Sequence, residues 1–212
     1  AWLDGDWDVF SGQYFTEFNR DTHVCEPFEI PQGWRCSAAL DYGLDMLAVL
    51  WFAVGPDGRA YCYRSLERQD MTVAMAAKAV LGAGSEEVCE VIAPPDLWNR
   101  RQDTGMSAAE IFADNGVPLV KAGNRRIDGW LAVKEYLRVE EGAPKLMIFS
   151  TCAPLLRTLP LLQHDPKKPG DAATKPHDVT HSPDALRYWC SRRQNVPLPA
   201  RAETAEACKP RR

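Results

Sequence analysis

Several features that would sort a sequence quickly are missing here. No apolar run approaches the length of a membrane span, and the longest candidate, Met46 to Val54, suits a buried strand instead. The opening residues, Ala1-Trp2-Leu3-Asp4-Gly5-Asp6, carry no basic stretch and no apolar core of the secretory kind. An initiator Met is also lacking, so the chain is expected to be a fragment of something longer. The seven cysteines (Cys25, Cys36, Cys62, Cys89, Cys152, Cys190 and Cys208) include no Cys-x-x-Cys pair and no zinc-type spacing. Their odd number argues against a disulfide framework, and they read as reduced, cytosolic packing residues. No Gly-x-x-x-x-Gly-Lys-Ser/Thr motif is present, so no ATP is expected to bind through a P-loop. A Gly-x-Ser-x-Gly elbow and a His-Glu-x-x-His pair are missing as well. Positive charge is not in excess: 25 Lys and Arg face 29 Asp and Glu, a formal net charge of −4. That argues against a dedicated basic DNA-binding module. It leaves room for an enzyme whose carboxylates hold metal ions while separate basic loops hold phosphates.

What remains is a soluble-type composition, 45% hydrophobic and 25% charged over 212 residues, enough for one sizeable domain with extensions. Residues 1–34 are rich in aromatics and turn formers, and pieces such as Trp7-Asp8-Val9-Phe10 and Gln13-Tyr14-Phe15 read as an arm covering part of a core. Arg35 to Asp41, Asp45 to Val54 and Arg59 to Leu66 read as three antiparallel strands, the last two joined by the turn Gly55-Pro56-Asp57-Gly58. Thr72 caps a helix over Val73 to Leu81, and Val88 to Ala93 is a strand ending at Pro94-Pro95. Ser107 with Glu110 forms a capping box for a helix that stops near Gly116. Val117 to Lys121 is a strand. Ile127, Trp130, Leu131 and Leu137 recur at helical spacing across Arg126 to Arg138. Lys145 to Phe149 is a strand, Pro154 to Leu159 a short helix, and 163–180 a polar loop or hairpin. Ser182 and Pro183 read as N-cap and first turn of a last helix reaching Arg193, and 195–212 as a disordered tail. Three antiparallel strands followed by alternating helix and strand describe an α/β fold, with a mixed central sheet flanked by helices.

Three acids occupy suggestive places. Asp41 ends the first strand, Asp96 follows the fourth, and Asp184 lies in the first turn of the last helix. If the first and fourth strands are parallel neighbours, Asp41 and Asp96 leave the sheet at one edge, and the last helix brings Asp184 across from them. Phosphodiester hydrolysis uses such a cluster, because paired divalent ions stabilise both attacking and leaving oxygens, and hard ions take carboxylate oxygens. Each residue also has a plain reading: turn chemistry for Asp41, a loop position for Asp96, and the helix dipole for Asp184. His181, three residues before Asp184, reads equally as a metal ligand, as a general acid or base, or as an exposed histidine before a cap. Asp45 is a possible support for Asp41, with His177 and Asp178 weaker. Arg100, Arg101, Arg125, Arg126, Lys167, Lys168 and Lys175 lie in loops where they would hold phosphates without reading sequence.

Three stretches, Asp41-Tyr42-Gly43, Ala93-Pro94-Pro95-Asp96-Leu97-Trp98 and His181-Ser182-Pro183-Asp184-Ala185-Leu186-Arg187-Tyr188, resemble the C-terminal nuclease domain of phage large terminase subunits. Trp7 to Phe15 and Asp21-Thr22-His23-Val24 resemble the segment that joins the packaging ATPase to that nuclease. The likeness reaches about Arg193, and Asp-Ala-Leu-Arg-Tyr after a histidine is its most specific part. It implies an RNase H-like fold related to Holliday-junction resolvases, with 1–34 as a linker from a missing ATPase domain, 35–194 as the nuclease and 195–212 as a tail. It implies two Mg²⁺ or Mn²⁺ ions on Asp41, Asp96 and Asp184, with His181 as a further ligand. Thr180 stands where many terminases carry another acid. The implied activity is cutting of double-stranded viral DNA concatemers during packaging, in the host cytoplasm at the capsid, with the portal and small terminase subunit as partners and no membrane. The competing readings are a junction resolvase-type nuclease and a catalytically silent DNA- or portal-docking domain.

Overall fold

The run Met46–Val54 lacks polar–apolar alternation, and it lies where that demands, in the middle of a sheet covered on both faces: Met46 to Ala53 are all buried. The computed structural model describes residues 12–43, 45–84, 88–102, 105–140 and 142–195. The strands are β1 (Val24–Cys25), β2 (Arg35–Tyr42), β3 (Met46–Val54), β4 (Ala60–Gln69), β5 (Val91–Ala93), β6 (Leu119–Lys121), β7 (Val139–Glu140), β8 (Ala143–Pro144) and β9 (Leu146–Phe149). The helices are α1 (Arg20–His23), α2 (Val73–Gly82), α3 (Ala108–Asp114), α4 (Arg126–Leu137), α5 (Ala153–Thr158) and α6 (His181–Asn195). Seven strands form one mixed sheet in the order β1-β9-β4-β3-β2-β5-β6, and β7 pairs with β8 apart from it. As the sequence predicts, β2, β3 and β4 are an antiparallel meander and β5 lies parallel beside β2.

Local signals hold where they were strong. Gly58 takes φ +83° in the β3–β4 turn, a conformation that glycine adopts without a Cβ penalty. Thr72 accepts from the Met75 N–H, and Ser107 and Glu110 make both bonds of a capping box. The last helix begins differently from its expected start. It opens at His181, with the Asp184 N–H donating to the Thr180 carbonyl at 2.8 Å, so Ser182 is inside the first turn rather than at the cap. Its hydroxyl is engaged elsewhere, donating to Glu67 Oε1 at 2.7 Å. In α4 the expected apolar face is only partly right. Trp130, Val133 and Leu137 are buried, whereas Ile127 and Leu131 are 44% and 54% exposed. The chain after α5 tightens into a 3₁₀ turn, Leu159–Leu161, with Pro160 inside it.

The described part of the N-terminal arm packs closely. Tyr14, Phe15 and Phe18 are buried, and β1 adds an edge to the sheet by pairing in parallel with β9. Trp7-Asp8-Val9-Phe10 and residues 196–212 lie outside the described residues. Bridges from Gln13 to Gln163 and from His164 to Ala172 organise the 163–173 loop against the arm. The six described cysteines are free. Among the described residues, no helix is long and apolar enough to cross a membrane.

What positions the site is the seat of α6 on the sheet. Side chains alternate along β2, so Ser37, Ala39 and Asp41 share one face. Ser37 Oγ accepts from Trp189 Nε1 at 2.9 Å, which identifies that face as the one under α6. Phe52, the cross-strand partner of Ser37, stacks on Trp189 with centroids 4.2 Å apart and planes 18° apart. Full burial of such a side chain contributes roughly 1.5–3 kcal/mol. Tyr42 points the other way, edge-on to Phe112 of α3.

The far end of α6 is held by charge. Glu90 is buried and takes Arg192 Nε at 2.9 Å, with Arg193 as a second partner. Removing one charge from a buried pair leaves the others uncompensated and costs about 3–5 kcal/mol. Glu90→Gln should therefore lower the unfolding free energy by about 3 kcal/mol in urea denaturation, and an unchanged midpoint and slope would show that this ion cluster does not anchor α6.

Candidate metal centre

Asp41 arises from the alternation just described. It is the fourth residue of β2 on the α6 face, at the end of the strand. Its neighbour across the β2–β3 pair is Ala48, and Ala48 is paired in turn with Glu67 of β4. The methyl side chain of Ala48 leaves a gap between the two acids, and the N-terminal turn of α6 fills it. Ser182 reaches Glu67, whose other oxygen takes Arg157 Nη2 at 3.3 Å. The His181 imidazole turns toward Asp41.

His181 is buried, and its ring joins two carboxylates. Nδ1 bonds Asp41 Oδ2 at 2.8 Å and Nε2 meets Asp45 Oδ2 at 3.3 Å. Of its three sequence readings, the exposed histidine before a cap is therefore set aside. Asp45 lies in the bend just before β3, where Gly43 faces it. A Cβ on Gly43 would stand 2.7 Å from Asp45 Oδ1, so the glycine is what lets that carboxylate fold back toward the helix. His177 Nδ1 approaches the same Asp45 oxygen at 3.9 Å. Burial pushes the Asp41 carboxyl above its ordinary range, the bond from His181 pulls it back, and the nearby Asp184 charge raises it again. The bond to Asp41 raises His181 above its ordinary value, against the opposing effect of its own burial. The imidazole is thus shared between two carboxylates, which favour its charged form.

Asp184, one turn into α6, is buried and matched by guanidinium groups. Arg187 donates to its Oδ1 through Nε at 2.8 Å and Nη2 at 2.7 Å, and Arg126 Nη1 lies 3.5 Å from the same oxygen. Arg187 runs close to α4 at Gly129, where a Cβ would come 2.7 Å from its Cγ. Arg126 also bonds Asp171 Oδ1 at 2.8 Å, and Trp130 Nε1 donates to that atom at 2.9 Å. The 163–173 loop is thereby tied to the acid on α6.

The expected residues come together unevenly. Asp41, Asp184 and His181 meet between β2 and α6. Asp96 reaches the same edge of the sheet, in the 3₁₀ turn Pro95–Trp98 just past β5, but it is exposed and outside the hydrogen-bonded cluster. Arg100, Arg101, Arg125, Lys167, Lys168 and Lys175 are exposed, Arg100 near Glu110 and Arg125 beside Asp128. Arg126, the first residue of α4, is half-buried and pairs with the acids Asp171 and Asp184. Glu67, Asp171 and Arg187 went unpredicted. Only Arg187 had a signal, since an Arg three residues after an Asp on a helix faces it.

The charge sharing has a measurable consequence. In metal-free protein the His181 imidazole should titrate above its ordinary value of 6.5, and Asp41→Asn should bring it down. Because the folded value is the raised one, the stability contributed is complete below the unfolded value and is lost as pH rises through the folded value. Imidazole NMR titration checks this, and a His181 that titrates below 6.5 in the wild type would refute the shared imidazolium.

No described protein family matches the sequence, and no curated protein does. Solved structures do match in fold. The P22 large terminase nuclease domain superposes with a TM-score of 0.69 at 24% identity, over 87% of this chain and 93% of that one. The large terminase of the thermophilic bacteriophage D6E in complex with ADP gives a TM-score of 0.71 at 18% identity, over 87% of this chain and 46% of that one. This chain thus spans under half of that protein's length. The nuclease domain of the large terminase from bacteriophage SPP1, with bound Mn, gives 0.54 at 17% identity, over 86% of this chain and 98% of that one. These superpositions each cover 86% or 87% of this chain, and the chain has the RNase H-like fold of phage large terminase nuclease domains.

Proposed function

We propose that this chain is the nuclease domain of a phage large terminase subunit, a divalent-metal-dependent endonuclease that cuts double-stranded viral DNA concatemers during packaging. The observation that carries the reading is the meeting of half-buried Asp41 and buried Asp184 where α6 crosses β2, with Asp41 bonded to His181 and Asp184 to Arg187 and Arg126. Buried carboxylates that close repel one another unless positive charge is supplied. In this chain Arg187 with Arg126 supplies it to Asp184, and the His181 imidazole bonds Asp41. A cluster of hard oxygen donors balanced in this way suits Mg²⁺ or Mn²⁺. Asp41, Asp184 and Asp96 would hold two ions, with His181 at their edge, and such ions supply a hydroxide nucleophile and charge stabilisation at the phosphate. Mn bound in the SPP1 nuclease domain supports the same donor chemistry here.

The chain's own residues then have distinct tasks. Asp41 leaves the sheet at its centre and faces both the other acid and the imidazole. Arg187 and Arg126 fix the Asp184 carboxylate, and its rotation is limited by their contact with the Trp130 ring. His181 can hold or pass a proton at Nε2 while Nδ1 stays on Asp41. Exposed Lys167, Lys168 and Lys175 in the polar loop, with Arg100, Arg101 and Arg125, would hold phosphates. A packaging ATPase domain would precede residues 1–34, and the portal and small terminase subunit would be the partners at the capsid in the host cytoplasm.

Replacing Asp41, Asp96 or Asp184 with Asn keeps the shape and removes a charge the ions need. Cleavage of supercoiled plasmid at saturating Mn²⁺ should fall by orders of magnitude in each variant, with chelator abolishing the wild-type reaction. Wild-type activity in Asp184→Asn would take α6 out of the site and overturn the assignment. For DNA binding, the double variant Lys167→Gln/Lys168→Gln should reduce the slope of log K against log salt by about 2, uniformly across sequences. An unchanged slope would place the DNA elsewhere on the surface.

A further inference from the structure

Beside the proposed Mg²⁺ or Mn²⁺ centre lies a second group of donors with different chemistry. Asp45, His177 and His181 each offer one ligand atom, and these atoms all lie within 4.8 Å of one another. We propose that Asp45, His177 and His181 form an adjoining transition-metal site, of the kind filled by Zn²⁺, that shares His181 with the oxygen-rich centre and pins the β2–β3 bend to the start of α6.

Three observations carry it. The first is donor type. Two imidazoles and one carboxylate suit zinc-like ions, whereas the oxygen-rich cluster of Asp41, Asp96 and Asp184 suits hard ones. The second is spacing. Ligands about 2.0–2.1 Å from a tetrahedral zinc are about 3.3 Å from each other. His181 Nε2 and Asp45 Oδ2 already stand 3.3 Å apart. His177 Nδ1 is 3.9 Å from that oxygen, and its exposed ring can close the difference.

The third is support behind the ligand. Histidines that bind metal through one ring nitrogen usually donate the other N–H to a carboxylate or carbonyl, which fixes tautomer and ring orientation. His181 has that partner: Nδ1 is on Asp41 at 2.8 Å, so Nε2 is the atom offered on the Asp45 side. Gly43 adds to the support, because any Cβ there would push the Asp45 carboxylate away. The three protein ligands leave a fourth position for water, as in open zinc sites.

The site shares His181 and its support Asp41 with the proposed nuclease centre, but its test reads metal binding and not cleavage. Metal-free full chain titrated with Co²⁺ should develop the intense visible absorption of a tetrahedral site at one equivalent, bleached by added Zn²⁺. His177→Ala and Asp45→Asn should each weaken Co²⁺ binding by about tenfold or more, and Asp41→Asn by about 10–100-fold through loss of the supporting bond. Asp96→Asn should keep the absorption, since Asp96 belongs to the oxygen-rich cluster. Zn²⁺ should also raise the Tm of the wild type and leave that of His177→Ala unchanged. Absence of tetrahedral absorption in the wild type, or its survival undiminished in both His177→Ala and Asp45→Asn, would overturn the proposal. Loss of plasmid cleavage with the absorption intact would count against the nuclease alone.

Discussion

The docking of α6 through Trp189 is the constraint on which the centre depends. The indole stacks on Phe52 of β3 and donates to Ser37 of β2, so it fixes the helix over two strands at once. The helix then runs antiparallel to β2. From Trp189 back to His181 is eight residues, a rise of about 12 Å in an α-helix. From Ser37 forward to Asp41 is four residues, about 13 Å in a strand. The two rises nearly match, so an aromatic anchor at one end delivers an imidazole to a carboxylate at the other. Any slip of one residue in the strand would turn Asp41 to the opposite face, against α3.

Charge balance follows from that seat. α6 brings an acid of its own toward the acid of β2, the first buried and the second half-buried. The same helix carries the compensation, His181 for Asp41 and Arg187 for Asp184, with Arg126 added from α4. The first turn of α6 is further located by Ser182 on Glu67, two strands away from Asp41 in the same row. The result is a site whose geometry is held by hydrogen bonds before any ligand arrives, which is what precise catalytic groups require. Asp96 differs because it stands on a short turn rather than under the helix.

The loop that carries Lys167 and Lys168 is connected to this arrangement. Asp171 receives Arg126 and the Trp130 indole, and Arg126 also touches Asp184. The exposed lysine loop and an acid of the interior thus share one guanidinium. Asp165 organises the loop tip by accepting from the Lys167 and Lys168 N–H groups, which leaves the two ammonium groups exposed.

Much of the framework was legible from the sequence by itself. Alternation and turn chemistry identified the meander, Thr72 and the Ser107–Glu110 pair identified helix starts, and Asp41, Asp96 and Asp184 each fell at the end of an element. These are local properties, set by sterics and hydrogen bonds within a few residues. The sequence did not determine that Val24–Cys25 closes the sheet beside β9, or that Ile127 and Leu131 face outward. It did not place Ser182 inside the helix, give Arg126 to the acids, or bring Asp45, Glu67 and Asp171 to their partners. Those contacts join residues from 41 to 136 positions apart. Only the packing of helices on the sheet decides them, because a periodic pattern states which residues share a face and not what that face will meet.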